Sequence, residues 1–189
     1  MHPDRLCDFG LVIEPLPKPR PVVQAPAEPG ATLLVFADVL DELRFNAGWR
    51  PDRIGGGLIV GRRYSDPAGG PAFCEVEGFL AGTHVADVGE FSRYLRVQWK
   101  AATASLRFHF PEAEVLGWYL AVPSEDRAPS LDEVALHETF FTHPWQRGLL
   151  VPPRGRPLAV HVVGGTFSTE PVGVVASSTP APADPPGVH

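Results

Sequence analysis

The chain has 189 residues, 44% of them hydrophobic and 20% charged, which suits one domain of roughly 150 residues with a single core. Its net charge of −6 argues against a broad phosphate-binding surface, so nucleic acid is not an expected partner. No apolar run approaches the roughly 20 residues of a membrane-spanning helix, and the first residues lack the pattern of a signal peptide, so a cytoplasmic location is expected.

Residues 1–30 are predicted to form an extended, proline-rich arm. They contain seven of the 22 prolines, and the alternating spacing of four of these favours polyproline II. A short apolar patch precedes the alternating prolines. We interpret the patch as an anchor and the prolines as a stiff spacer of a candidate partner-binding arm, with a passive leader as the alternative. The arm residues in question are Leu11, Val12, Ile13, Pro15, Pro17, Pro19 and Pro21.

Residues 31–176 are predicted to be the folded domain, and residues 177–189 a disordered proline-rich tail. The first half of this domain starts with a buried strand over 31–36, and Asp38 is placed as the N-cap of a helix that ends at Gly48. Strands from Gly56 and from Phe73, separated by a Gly- and Pro-rich stretch, predict a hairpin. Apolar residues from Phe91 to Leu106 recur at helical spacing and predict a long helix.

The second half of the domain begins with a nearly continuous apolar run from Glu114, which predicts a central strand covered on both faces. Ser130 and Glu133 have the spacing of a capping box, which predicts a helix that His143-Pro144 stops. Three further apolar runs predict the closing strands. The two cysteines, Cys7 and Cys74, are interpreted as reduced thiols. The preference for Arg (14) over Lys (2) indicates a high-GC, bacterial genome.

The element order and one central motif resemble the MPN domain, the fold of the JAMM metalloproteases. In that family Gly-Trp-Tyr runs into His-x-His-Pro, then six residues, Ser, two residues and Asp. Here Gly117-Trp118-Tyr119 runs into Leu-Ala-Val-Pro, then six residues, Ser130, two residues and Glu133. The strand that begins at Gly57 is similar to the family's Gly-Leu-Leu-Leu-Gly strand. The resemblance covers 31–163 and implies an α/β (α+β) fold, an MPN-like central mixed β-sheet flanked by helices in a single domain.

The resemblance also implies that the zinc site of the active enzymes has been lost. Leu120 and Val122 occupy the two histidine positions, and Ile54 occupies the position of the general base. Active members need two imidazoles and a carboxylate on zinc, with a glutamate that activates water. Together with Ser130 and Glu133, these residues are the degenerate family-site positions. No metal, cofactor or catalytic residue is expected.

The remaining candidate residues can also be explained by structural roles. Glu133 and Ser130 are explained by the capping box alone, because it satisfies the first amides of the helix. His137 lies four residues after Glu133 on the same helical face, so a relocated metal pair is an open alternative. The remaining histidines show no paired ligand spacing.

The sequence therefore predicts a pseudoenzyme that acts as a structural or protein-interaction subunit of a larger assembly. The expected partner is another protein, such as a second MPN-like domain, in a homo- or hetero-oligomer. Two alternatives stay open. One is a metal-dependent isopeptidase or peptidase with a rebuilt site, and the other is a binding module for a ubiquitin-like or peptide tail.

Overall fold

The computed structural model describes residues 12–13, 32–48, 50–64, 73–109, 111–124, 127–163 and 165–176. Within these ranges the chain forms eight strands and three helices. The strands are β1 (Val12–Ile13), β2 (Leu33–Phe36), β3 (Ile54–Tyr64), β4 (Phe73–Val85), β5 (Glu114–Ala121), β6 (Arg147–Val151), β7 (Leu158–Val163) and β8 (Thr166–Val175). The helices are α1 (Ala37–Ala47), α2 (Val88–His109) and α3 (Leu131–Phe140).

Most of the predicted elements are confirmed. The hairpin is β3 with β4, the long helix is α2, and β5 is the predicted central strand, with β3 and β6 on its two sides. Gly48 ends α1 with a left-handed backbone, φ 36°, which glycine adopts without a side-chain clash. Asp38 was placed wrongly, because α1 begins at Ala37, with Phe36 as its N-cap, and Asp38 lies in the first turn.

The predicted MPN-like central mixed β-sheet flanked by helices is wrong, because the strands close into a mixed barrel. Going round the ring, β4 pairs with β2, followed by β8, β7, β6, β5 and β3, and β3 pairs with β4 again. Seven strands therefore form the barrel. Periodicity in the sequence identifies strands but carries no information on whether the first and last strands of a sheet meet, and this is why the prediction failed.

Closure depends on the two longest strands, β3 and β4. Strand β3 pairs with β4 along one edge and with β5 along the other. Register shifts between Gly55 and Gly57 and between Val60 and Gly61 bend the hairpin as β-bulges do. A Cβ at Gly61 would lie 1.9 Å from the carbonyl oxygen of Glu75, so only glycine permits this close approach of the strands.

Two apolar clusters lie on opposite faces of the barrel wall. One receives side chains from all seven barrel strands and from α1, as expected for a barrel interior that a helix closes at one end. The other lies between the outer face of β3 to β7 and the helices α2 and α3. Alternation along β5 divides its residues between the clusters, with Trp118 and Leu120 facing the helices and Tyr119 facing the interior.

Part of the arm joins the barrel, which the proline pattern did not indicate. Val12–Ile13 pairs antiparallel with β4, with Val12 opposite Ala81 and Ile13 opposite Leu80. This pairing lies on the edge of β4 that β2 covers only at Cys74 to Val76. The other arm residues named above, Leu11, Pro15, Pro17, Pro19 and Pro21, and the tail 177–189 lie outside the described residues.

None of the helices in the described ranges combines the length and the apolar character that crossing a bilayer requires.

Candidate functional site

Leu120 and Val122, which the sequence resemblance aligns with the two histidines of the MPN motif, are packed into the core. Their side chains are 0% and 1% exposed and lie in the cluster beneath α2 and α3. Residues two apart in an extended chain face the same side, and both side chains accordingly belong to this cluster. Neither side chain has a lone pair to offer a metal.

Glu133 and Ser130 form the predicted capping box. The Glu133 backbone N–H donates to Ser130 Oγ at 3.3 Å, and the Ser130 backbone N–H donates to Glu133 Oε2 at 2.8 Å. The two bonds satisfy amides at the start of α3 that would otherwise lack partners. The structural role predicted for both residues is confirmed.

The Glu133 carboxylate has a second partner that the sequence did not indicate. Arg127 Nη2 donates to Glu133 Oε1, and Arg127 Nη1 donates to the carbonyl oxygen of Ala128 at 3.3 Å. The Glu133 side chain is 0% exposed, so this ion pair neutralises a buried charge. Both carboxylate oxygens of Glu133 are thus engaged within the protein.

His137 is buried against Trp118 rather than paired with Glu133. The Trp118 indole Nε1–H donates to His137 Nδ1 at 3.1 Å, and this imidazole is 2% exposed. Burial, reinforced by the positive charges of Arg147 and His161, lowers the pKa of His137 to about 4. The imidazole is therefore neutral at pH 7 and serves as an acceptor in the core. Glu133 and His137, the two residues of the alternative metal pair, therefore bind different partners: Glu133 binds Arg127 and the Ser130 amide, and His137 binds Trp118.

A cleft of about 460 Å³ opens beside these residues. It lies where the starts of α2 and α3 approach the turn before β3 and the end of β5. Of the residues that the resemblance aligns with the MPN zinc site, Ile54 and Ser130 line it, whereas Leu120, Val122 and Glu133 lie beneath its surface. Its charged lining consists of Arg50, Arg53, Arg127, Asp52, Asp87 and Asp132.

Two carboxylates of the cleft, Asp87 and Asp52, lie near hydrogen-bond or ion-pair partners. Asp87 Oδ1 accepts from the Glu90 backbone N–H at 2.7 Å at the start of α2, and Asp52 lies 3.8 Å from Arg53. Among the residues that the structure describes, no three His, Cys, Asp or Glu side chains are grouped so that they could hold a metal ion. The guanidinium groups can donate hydrogen bonds to a carboxylate or to peptide carbonyl groups.

A smaller cavity of about 150 Å³ lies near Cys74, between Thr32, Trp145 and Arg147. Burial raises the pKa of the Cys74 thiol to about 11, with the Arg147 guanidinium opposing this shift in part. The thiol is protonated at pH 7, so it is a poor nucleophile and a poor metal ligand. Cys74 is a free thiol, as predicted, and Cys7 lies outside the described residues.

The arginines that line the larger cleft were not predicted from the sequence. Arg50 and Arg53 lie in the turn before β3, and Arg127 lies in the segment before α3. Nothing in the sequence links the three, because they come together only where the turn before β3 and the segment before α3 line the same cleft. The one available signal was the position of Arg127 shortly before the capping box, where a cation can reach the carboxylate.

Comparison with known proteins supports the fold. No protein-family model and no curated protein matches the sequence. The solution structure of a protein from Desulfitobacterium hafniense is similar, with a TM-score of 0.56, 18% identity and coverage of 77% of this chain and 94% of that chain. A protein from Salinibacter ruber gives a TM-score of 0.47 at 18% identity, over 80% of this chain and 95% of that chain. At these identities the first likeness concerns the fold alone.

Proposed function

We propose that this chain is a protein-interaction domain that does not use metal-dependent catalysis. The observation that carries the proposal is the engagement of Glu133, the carboxylate left at the family-site positions. It is buried and bound by both Arg127 and the Ser130 amide. A metal could take this carboxylate only by breaking the ion pair and half of the capping box. The residue therefore serves folding.

The sequence resemblance gives the proposal its second support. In the MPN family, members without zinc ligands act as structural subunits or pair with a related domain, and the motif from Gly117 to Glu133 relates this chain to them. The partner is then another protein, in a homo- or hetero-oligomer of the cytoplasm.

We expect the purified protein to contain far less than one zinc ion per chain, and to stay so after incubation with zinc and desalting. Leu120 and Val122 offer no lone pair, and Arg127 holds Glu133. Elemental analysis measures this, together with an assay for zinc-dependent cleavage of an isopeptide-linked substrate.

Two variants decide the outcome. Glu133→Gln removes the charge but keeps a residue that capping boxes accept, and Asp132→Asn removes an exposed neighbouring carboxylate as the matched control. One zinc per chain that is lost in Glu133→Gln and retained in Asp132→Asn would establish a rebuilt metal site and refute the proposal.

The cleft favours a second candidate function, the binding of a ubiquitin-like or peptide tail. Arg50, Arg53 and Arg127 line it, and a terminal carboxylate can accept two hydrogen bonds from one guanidinium.

We expect a tail peptide with a free carboxyl end to bind more tightly than its amidated form, and Arg50→Ala to abolish the difference. Calorimetric titration measures both, with the exposed Arg154→Ala as control. Equal affinities for the two peptides would exclude this function.

A further inference from the structure

Helix α2 carries a row of cations on its solvent side. Arg93, Arg96, Lys100 and Arg107 are all exposed, and within the described ranges none of them has a carboxylate partner. Most other described basic residues are paired; Arg62, Arg63 and Arg147, for example, each lie within 4.0 Å of a glutamate. In a chain of net charge −6, a row of unpaired cations on one helix needs a reason.

An apolar line runs beside the cationic row. It consists of Val97, Ala101 and Ala104, with Val97 77% exposed. The spacing of four and three residues is that of the contact positions of two helices packed side by side. The two small alanines let a second helix approach closely.

This line is not the face by which α2 packs on the barrel. Phe91, Leu95, Ala102 and Leu106 make that contact and are buried. The line lies on the opposite side of the helix, at the 100° per residue of an α-helix. The apolar line therefore remains on the solvent side of α2 in the folded domain, and the cationic row runs along one of its flanks.

We propose that the outer face of α2 binds an acidic amphipathic helix of another protein, with Val97, Ala101 and Ala104 as the contact line and the cationic row as its electrostatic guide. This inference rests on the proposed interaction function and names the chemistry of the partner. Acidic residues along one side of the docked helix would neutralise the row, and its apolar residues would cover the line.

The positive charge of the row and the narrow width of the apolar line favour an acidic helix over a second copy of this chain or a membrane surface. In an antiparallel pair of two copies the cationic rows would face each other, and such like-charge contacts are costly. A helix that lies on a membrane surface buries a wide apolar face, whereas the wide face of α2 is already packed on the barrel and only a narrow line remains.

Designed peptides of the length of α2 test the proposal with the full chain. One peptide has leucines at spacings of four and three and glutamates on one flank, and its match has lysines in place of the glutamates. Binding is followed by fluorescence anisotropy at low and moderate salt. We expect the glutamate peptide to bind, more weakly at higher salt, and the lysine peptide to bind at least about tenfold more weakly.

Matched variants locate the binding surface. Lys100→Glu and Val97→Ser should each weaken binding of the glutamate peptide about tenfold. The control Arg154→Glu, which reverses one exposed charge far from α2 in sequence, should leave binding unchanged. Equal affinity for both peptides, or equal loss in the control, overturns the proposal.

Two further measurements cover the other occupants. Binding of phosphatidylserine vesicles without binding of the glutamate peptide would assign the face to a lipid surface. Dimerisation of the chain alone that Lys100→Glu changes would assign it to a second copy, and either result overturns the proposal. The peptide experiment and the zinc measurement are independent, so the helix-binding proposal can be refuted while the proposed function stands.

Discussion

Replacing Trp118 by Ala is expected to lower the free energy of unfolding by about 3 to 5 kcal/mol. The indole is fully buried, and a Cβ at the facing Gly148 would lie 2.2 Å from its Cζ2 atom, so the ring fills the space that this glycine leaves. The substitution would open a cavity beneath α2 and α3 and remove the hydrogen bond to His137. Folded domains are stable by only roughly 5 to 15 kcal/mol, so the variant should be marginal.

Urea denaturation followed by circular dichroism measures this effect, with two comparison variants. Trp118→Phe keeps an apolar ring and should cost less, which preserves the test if Trp118→Ala does not fold. Trp99→Ala is the matched large-to-small change at a half-buried tryptophan, packed against Phe140 and Phe141. It should cost clearly less than Trp118→Ala. Equal midpoints for the two alanine variants would contradict the packing described.

Stability is expected to fall by about 3 kcal/mol between pH 6.5 and pH 4 through His137 alone. Its pKa in the folded protein is about 4, below the value of about 6.5 in the unfolded chain. Above pH 6.5 both states are neutral and His137 has no effect. As the pH falls towards 4, the unfolded chain takes up a proton that the folded protein excludes, so unfolding becomes easier. Below pH 4 the effect is complete.

The physical reason lies in the Trp118 contact. His137 Nδ1 accepts the indole N–H, and a proton on that nitrogen would set two donors against each other. The free energy of unfolding of His137→Gln, compared with wild type from pH 7 to pH 4, isolates the effect because the other titrating groups are shared. The difference between the two should change across this window. His143→Gln, at an exposed imidazole, controls for the loss of an imidazole as such. A constant difference would show that His137 titrates alike in both states.

The elements of this protein could be predicted from the sequence wherever the signal was local. Ser130 and Glu133 stand three residues apart before an apolar run, and the box they form involves only neighbouring backbone amides. Alternation and continuous apolar runs located β3, β4 and β5 for the same reason. The long helix α2 followed from apolar residues at helical spacing, and this spacing also placed Arg93, Arg96 and Lys100 on its outer side.

The site could be predicted only in part. That Leu120, Val122 and Ile54 offer no metal ligand depends on residue type and was evident from the sequence. Whether Glu133 is free was open, because the position of Arg127 before the capping box permits the ion pair without requiring it. Trp99 shows the same limit, since it lies within the apolar pattern from Phe91 to Leu106 and is nevertheless only half-buried, packed against Phe140 and Phe141.

The sequence by itself determined the strands, the helices and the capping box, because periodicity, turn residues and caps act within a few residues of the chain. Tertiary structure alone decided the closure of the barrel, the pairing of Val12–Ile13 with β4, and the grouping of Arg50, Arg53 and Arg127 at one cleft. These features join residues far apart in the chain, and their energy comes from pairing and packing between whole elements. Periodicity along the sequence gives no information on which distant elements pair or pack together.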